Sequence, residues 1–194
     1  MQSQPGHCSS TLDSRGFSAL LRGLERTLVE VCPMTLVMSQ NRGPCVLVLC
    51  PVEEYERHTT CRIVPIWMGT AEASQLGMAL EGHRTHRPMT HDLFLDALTN
   101  LDTQVDRVEI VRAEGRIFYS VMVLRTGDRI ISLDARPSDA VALAIRQGAP
   151  IYMADEVLRR NSYPFIFKNE KDDEAEFEEF HSFVESLNPE DFKE

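Results

Sequence analysis

The chain has 194 residues, 43% hydrophobic and 26% charged, enough apolar content for one packed domain with appendages and too much for a disordered chain. No run approaches 18 consecutive apolar residues, so no membrane-spanning helix is expected, and the polar opening Met1–Gly16 lacks the basic start and apolar run of a secretory signal. The net charge of −10 is concentrated in the tail: residues 1–165 carry 17 basic and 19 acidic side chains and residues 166–194 carry 3 and 11, so the near-neutral body neither requires nor excludes a nucleic-acid partner.

In chain order, Phe17, Leu20, Leu21, Leu24 and Leu28 recur at helical spacing and predict a short amphipathic helix in an N-terminal extension, residues 1–28. Strand signals follow. Thr35–Ser39 and Cys45–Cys50 flank the turn cluster Asn41-Arg42-Gly43-Pro44 and read as a hairpin, and Arg62–Met68 is a third apolar run. A first helix is expected from Thr70 as N-cap to about Gly82, with Glu72 in its first turn. A second is expected from Thr90, with Met89 packing on Phe94 as a hydrophobic staple and a stripe of Leu93, Phe94, Ala97, Leu98 and Leu101. Val105–Ala113, Arg116–Arg125 and Arg129–Ala135 form a three-stranded meander, its middle strand apolar on both faces. A third helix spans about Pro137–Gln147, with Gly148 past its end, then a short strand at Ile151–Met153 and a short helix from Asp155.

These elements predict an α+β domain over residues 29–165: an antiparallel or mixed sheet of hairpins and a meander, packed with three main helices. The acidic tail, residues 166–194, carries Phe177, Phe180, Phe183, Val184 and Leu187 at helical spacing. The five cysteines include no C-x-x-C pair and lie mostly in apolar stretches, as expected of reduced core thiols in a cytoplasmic protein.

The most chemical segment is Leu133–Ala140, where a strand hands over to a helix. Strand alternation sends Asp134 away from the Leu133 side, while Asp139 lies in the first helical turn beside Arg136 and Ser138. A helix start with an arginine beside it suits a phosphate, and two nearby carboxylates suit Mg²⁺; equally, Asp139 suits the helix dipole and Asp134 suits an ion pair with Arg136. His83, His86 and His91 lack conventional zinc spacing. His91, in a first helical turn where a positive charge is disfavoured, is a candidate general base or phosphate contact.

Pro65–Ala73, Arg87–Leu93 and Leu133–Ala144 resemble, in this order, the motifs of the bifunctional nuclease domain, once catalogued as a domain of unknown function. The resemblance covers roughly residues 31–160. Met68 stands where an isoleucine is usual, and His83 and His86 are not motif positions. What it implies is a homo-oligomeric α+β nuclease acting on RNA and on single- or double-stranded DNA. The site roles rest on local chemistry at the matching positions: Asp134 and Asp139 hold a divalent metal, expected to be Mg, with help from Glu72; Arg136 and Ser138 hold the phosphate; and His91, Asp134 and Asp139 are catalytic. The alternative is a non-catalytic oligomeric regulatory or scaffold protein of the same fold.

Overall fold

The computed structural model describes residues 26–38 and 44–167. The expected N-terminal helix over residues 17–24, the turn at 41–43 and the acidic tail from residue 168 on lie outside the described residues, while Ile166, given to the tail, ends the last strand of the sheet. The elements run β1 (Leu28–Val37), β2 (Cys45–Pro51), α1 (Val52–Glu56), β3 (Thr60–Met68), α2 (Thr70–Leu80), α3 (Thr90–Asn100), β4 (Thr103–Glu114), β5 (Ile117–Thr126), β6 (Arg129–Ala135), α4 (Pro137–Gln147), β7 (Ile151–Ala154), α5 (Asp155–Asn161) and β8 (Tyr163–Ile166). The strands form one eight-stranded sheet in the order β6-β5-β4-β7-β1-β2-β3-β8. All pairings are antiparallel except β4 with β7, so the α+β class holds and the sheet is mixed.

Alternation along the strands assigns the two faces. Leu47, Leu49, Val64, Ile66, Val108, Ile110, Met122 and Leu124 point to the main core, together with Ala73 and Leu76 of α2, Leu98 of α3 and Ala140–Ala144 of α4. The helices therefore cover this face. The intervening residues of β1–β3 form a second cluster, Val37, Val46, Val48, Cys50, Cys61 and Ile63, on the reverse face. Those of β4 and β5 form a third, Val111, Val121 and Val123. Every residue of β2 is buried, as is most of β5, the pattern of strands covered on both sides. Each fully buried Leu, Ile or Val contributes about 1.5–3 kcal/mol of transfer free energy.

Several expectations need correction. Leu28 opens β1 rather than closing a helix. Gly69, not Thr70, is the N-cap of α2, and Met89, not Thr90, is the N-cap of α3, so the staple position falls to Pro88. Of the apolar stripe expected on α3, only Leu98 is buried; Leu93, Phe94 and Leu101 are exposed. The short strand expected at Ile151–Met153 is present as β7, and it inserts between β4 and β1.

The last strand residue before α4 is fixed by a buried hydroxyl. Ser120, fully buried in β5, donates to the Ala135 carbonyl at 2.6 Å, on the helix-bearing face. α4 then starts with Arg136 as N-cap and Pro137 at its first position, where a missing N–H costs nothing. It ends at Gly148, whose φ of 73° is the left-handed conformation that glycine adopts without a Cβ penalty.

Candidate active site

α2, α3 and α4 each place an acid at the third helical position: Glu72, Asp92 and Asp139, counted from the N-caps Gly69, Met89 and Arg136. A carboxylate there answers the positive end of its own helix. Two of the three, Glu72 and Asp139, also share one arginine, the N-cap residue of α4. Arg136 Nε donates to Asp139 Oδ2 at 2.8 Å and Nη1 donates to Glu72 Oε1 at 2.9 Å. Its side chain is still 65% exposed. Asp139 first and Glu72 second hold this guanidinium still more firmly protonated than usual.

His91 joins the same group. Its Nε2 lies 3.5 Å from Asp139 Oδ1, and its side chain is only 14% exposed. The other ring nitrogen, Nδ1, is buried and makes no hydrogen bond among the described residues. Asp139 therefore holds an arginine on one oxygen and faces an imidazole with the other.

Asp92 takes a structural place. Its Oδ2 accepts from the Met89 N–H at 2.9 Å, and its Oδ1 accepts from Arg146 Nε at 3.1 Å. The Met89 N–H, with the Arg146 guanidinium, keeps the Asp92 carboxyl below its ordinary value. Arg146 is 10% exposed and also donates to the carbonyls of Gln75 at 3.1 Å and Ala142 at 3.4 Å, so it ties α2, α3 and α4 together. Sequence reasoning missed it. A basic residue in the last turn of a helix reads as a dipole partner, and nothing local signals its burial. Gly69 has a similar hidden role: a Cβ there would stand 2.6 Å from Glu72 Oε2, so the glycine leaves room for the carboxylate.

The structure thus gathers Glu72, His91, Arg136 and Asp139 and separates two other expected residues from them. Asp134 pairs in register with Val121, which belongs to the reverse-face cluster. Paired residues share a face, so Asp134 leaves the sheet on the side away from α4. It makes no ion pair among the described residues, neither with Arg136 nor with any other group, and it does not stand beside Asp139. Ser138 is 8% exposed, turned into the core rather than toward a ligand. The start of α4 is also a poor anion cradle: Pro137 has no N–H, and those of Asp139 and Ala140 both donate to the Arg136 carbonyl. The exposed guanidinium of Arg136 is what remains for a phosphate.

Nor do the three histidines converge. His83 and His86 line a neighbouring cleft of about 500 Å³ with Asp92, Asp96 and Arg146, while His91 turns to Asp139. Among the described residues no group of three or more His, Cys, Asp or Glu is placed to hold a metal ion. Glu72 and Asp139 both face the Arg136 guanidinium, and a pair of carboxylates is within the one or two that Mg²⁺ uses beside substrate oxygens and water. A larger hollow of about 560 Å³ is lined by Arg26, Arg112, Arg159 and Arg160, but the last three pair with Glu114, Asp155 and Glu156 of the same patch, so most of its basic charge is answered locally.

The model of the bifunctional nuclease domain matches residues 55–165, which include all three motifs and every residue of the cluster. The chain belongs to the bifunctional nuclease domain family. Two proteins from two strains of Mycobacterium tuberculosis, both described as uncharacterised, are each 37% identical to it over 139 residues, covering 68% of this chain and 82% of theirs. In this bifunctional nuclease domain protein the matched segment begins within α1, yet β1 and β2 are strands of the same sheet. No helix among the described residues is long and apolar enough to cross a membrane.

Proposed function

We propose that this protein hydrolyses phosphodiester bonds of RNA and DNA at the Glu72–Arg136–Asp139–His91 cluster. The observation that carries this reading is an exposed arginine held by two carboxylates, one of which also faces a half-enclosed imidazole. Hydrolysis needs a group that neutralises charge on the phosphate and a group that moves a proton. Arg136, with a planar fork and much of its surface open, suits the first task. Glu72 and Asp139 set its position. In His91 the nitrogen that faces the cluster is Nε2, 3.5 Å from Asp139 Oδ1, while Nδ1 is enclosed, so Nε2 is the atom placed to exchange a proton there. His91 takes a proton from the attacking water as the water oxygen bonds to phosphorus. The bond from phosphorus to the bridging oxygen breaks, and the departing oxygen takes up a proton. Mg²⁺, if the reaction uses it, would be held by Glu72 and Asp139 and would supply further charge neutralisation at the phosphate.

The test is digestion of labelled RNA, single-stranded DNA and double-stranded DNA by the purified chain, with and without EDTA, beside Arg136→Ala. Cleavage that falls roughly 100-fold in the variant supports the site. Equal cleavage by both proteins, or none by either, overturns it. Loss of cleavage in EDTA assigns a metal; survival of cleavage removes it from the reaction.

A second reading, a non-catalytic oligomeric scaffold, is favoured by one observation. Leu93 and Phe94 near the start of α3 and Leu101 at its C-cap are exposed, Leu93 and Leu101 by 61% and 69%, apolar residues along the helix whose start carries His91. It predicts no turnover and an assembly that Leu93→Asp and Leu101→Asp break, read by light scattering.

A further inference from the structure

Three thiols share the reverse face of the sheet. Cys32 of β1 is the register partner of Cys50 of β2, and their sulfurs are 3.8 Å apart. Cys61 of β3 belongs to the same buried cluster and flanks Cys50 from the other side. Cys45, five residues before Cys50 on the same strand, belongs to the opposite face and cannot join them. Cys50 and Cys61 are buried, whereas Cys32 is half-buried, the one member of the group open to a small solute.

We propose that Cys32 and Cys50 form a peroxide-oxidisable dithiol, in which Cys32 takes up the oxidant and Cys50 closes a disulfide across the β1–β2 ladder. Directly opposed residues of antiparallel strands hold their Cβ atoms about 4.5–5.5 Å apart, close to the roughly 3.5–4.5 Å that a disulfide spans. The closure therefore asks for side-chain rotation and a slight approach of strands already bonded to each other. The electrostatics assign the same roles. The hydrogen bond from Cys50 lowers the Cys32 thiol below its ordinary value, and the thiolate is the form that attacks. Cys50, flanked by the Cys32 and Cys61 sulfurs and buried, is pushed far up and keeps its proton until Cys32 has reacted. Cys61 is lowered too, by the same neighbour, but its burial leaves peroxide to meet Cys32 first.

The chemistry balances with hydrogen peroxide as the oxidant. The Cys32 sulfur attacks one peroxide oxygen, the O–O bond breaks, and water leaves, giving a sulfenic acid. The Cys50 sulfur then attacks the Cys32 sulfur, the S–O bond breaks, and a second water leaves with the Cys50 proton. Two thiols are oxidised by two electrons and one peroxide is reduced to two waters. This site is independent of the phosphodiesterase reading, since the thiols stand on the face opposite to α2 and α4.

The experiment treats the full chain with hydrogen peroxide, alkylates the remaining thiols and maps the tryptic peptides. Cys32 falls in the peptide of residues 27–42, Cys50 in 43–57 and Cys61 in 58–62. The expected product joins the first two, with fragmentation placing the bond at Cys50 rather than Cys45, a loss of two titratable thiols, and reversal by dithiothreitol. The cross-link vanishes in Cys32→Ser and persists in Cys61→Ser, with thermal melting confirming that each variant is folded. The mapping of the unmutated chain decides the matter even where a variant fails to fold. A bond from Cys50 to Cys61, oxidation of Cys32 that goes on to the sulfinic acid with no cross-link, or five intact thiols after treatment would overturn the proposal.

Discussion

Arg136 Nη1 lies 2.9 Å from Glu72 Oε1, and these two residues are 64 positions apart in the sequence. The bond joins the N-terminus of α4 to that of α2, and the same guanidinium holds Asp139 at 2.8 Å. The geometry of the whole cluster depends on one exposed side chain, which makes it open to direct test.

Arg136→Lys is expected to lose most of the activity that Arg136→Ala loses. A lysine keeps the charge but is a point donor and cannot span Glu72 and Asp139 as a planar fork does. The expected drop in kcat is about tenfold to a hundredfold, with the melting temperature nearly unchanged because exposed ion pairs contribute little to stability. Steady-state cleavage rates and a thermal melt check both halves.

Gly69→Ala separates position from charge. Gly69 has a φ of −74°, which alanine adopts freely, but the new Cβ would meet Glu72 Oε2. The carboxylate is the end of a flexible side chain and can swing away, so stability should fall by only about 1 kcal/mol or less. Cleavage should drop several-fold as Arg136 loses one of its two holders. A chemical melt compared with the cleavage rate tells the two effects apart.

Arg146→Met tests the tie among three helices. The arginine is nearly buried, and its loss removes a second donor to the Gln75 carbonyl and a partner of Asp92. Breaking a buried pair costs about 3–5 kcal/mol, and the partly exposed Asp92 brings the expected loss down to about 2 kcal/mol. Urea denaturation monitored by far-UV circular dichroism measures it.

Acid should weaken the fold through Asp92 and Asp106. The Met89 N–H lowers the folded-state value of Asp92, and Arg125 lowers that of Asp106, each from an ordinary 3.8. A depressed carboxyl binds its proton more readily in the unfolded chain, so its contribution is complete above pH 3.8 and is lost as pH falls through the lower folded values. Melting temperatures taken from pH 6 down to about pH 2.5 should fall most steeply below about 4, and Asp92→Ala should flatten that slope.

Much of this was legible in the sequence, for reasons that differ by residue. Pro137 and Gly148 bracket α4 because one lacks an N–H and the other tolerates positive φ, both local facts. The orientation of Asp134 also followed from strand alternation alone, although the expected roles assigned it to the metal beside Asp139. What stayed hidden is non-local. The insertion of β7 between β4 and β1 involves a parallel pairing with no turn to announce it. The contact of Glu72 with Arg136 depends on how two helices cross, and the apolar spacing of α3 marks Leu93 and Leu101 as one stripe without telling that only Leu98 is covered. Ser138 looked like a helix-start ligand because its burial is a property of the packing.

The most direct test is the initial rate of single-stranded RNA cleavage by Asp139→Asn, measured beside Asp134→Asn and the unmutated chain. Asp139→Asn is expected to fall about a hundredfold, because Arg136 and His91 both lose their charged partner, while Asp134→Asn stays within twofold of the unmutated rate. Full activity in Asp139→Asn, or loss in Asp134→Asn alone, would contradict the site.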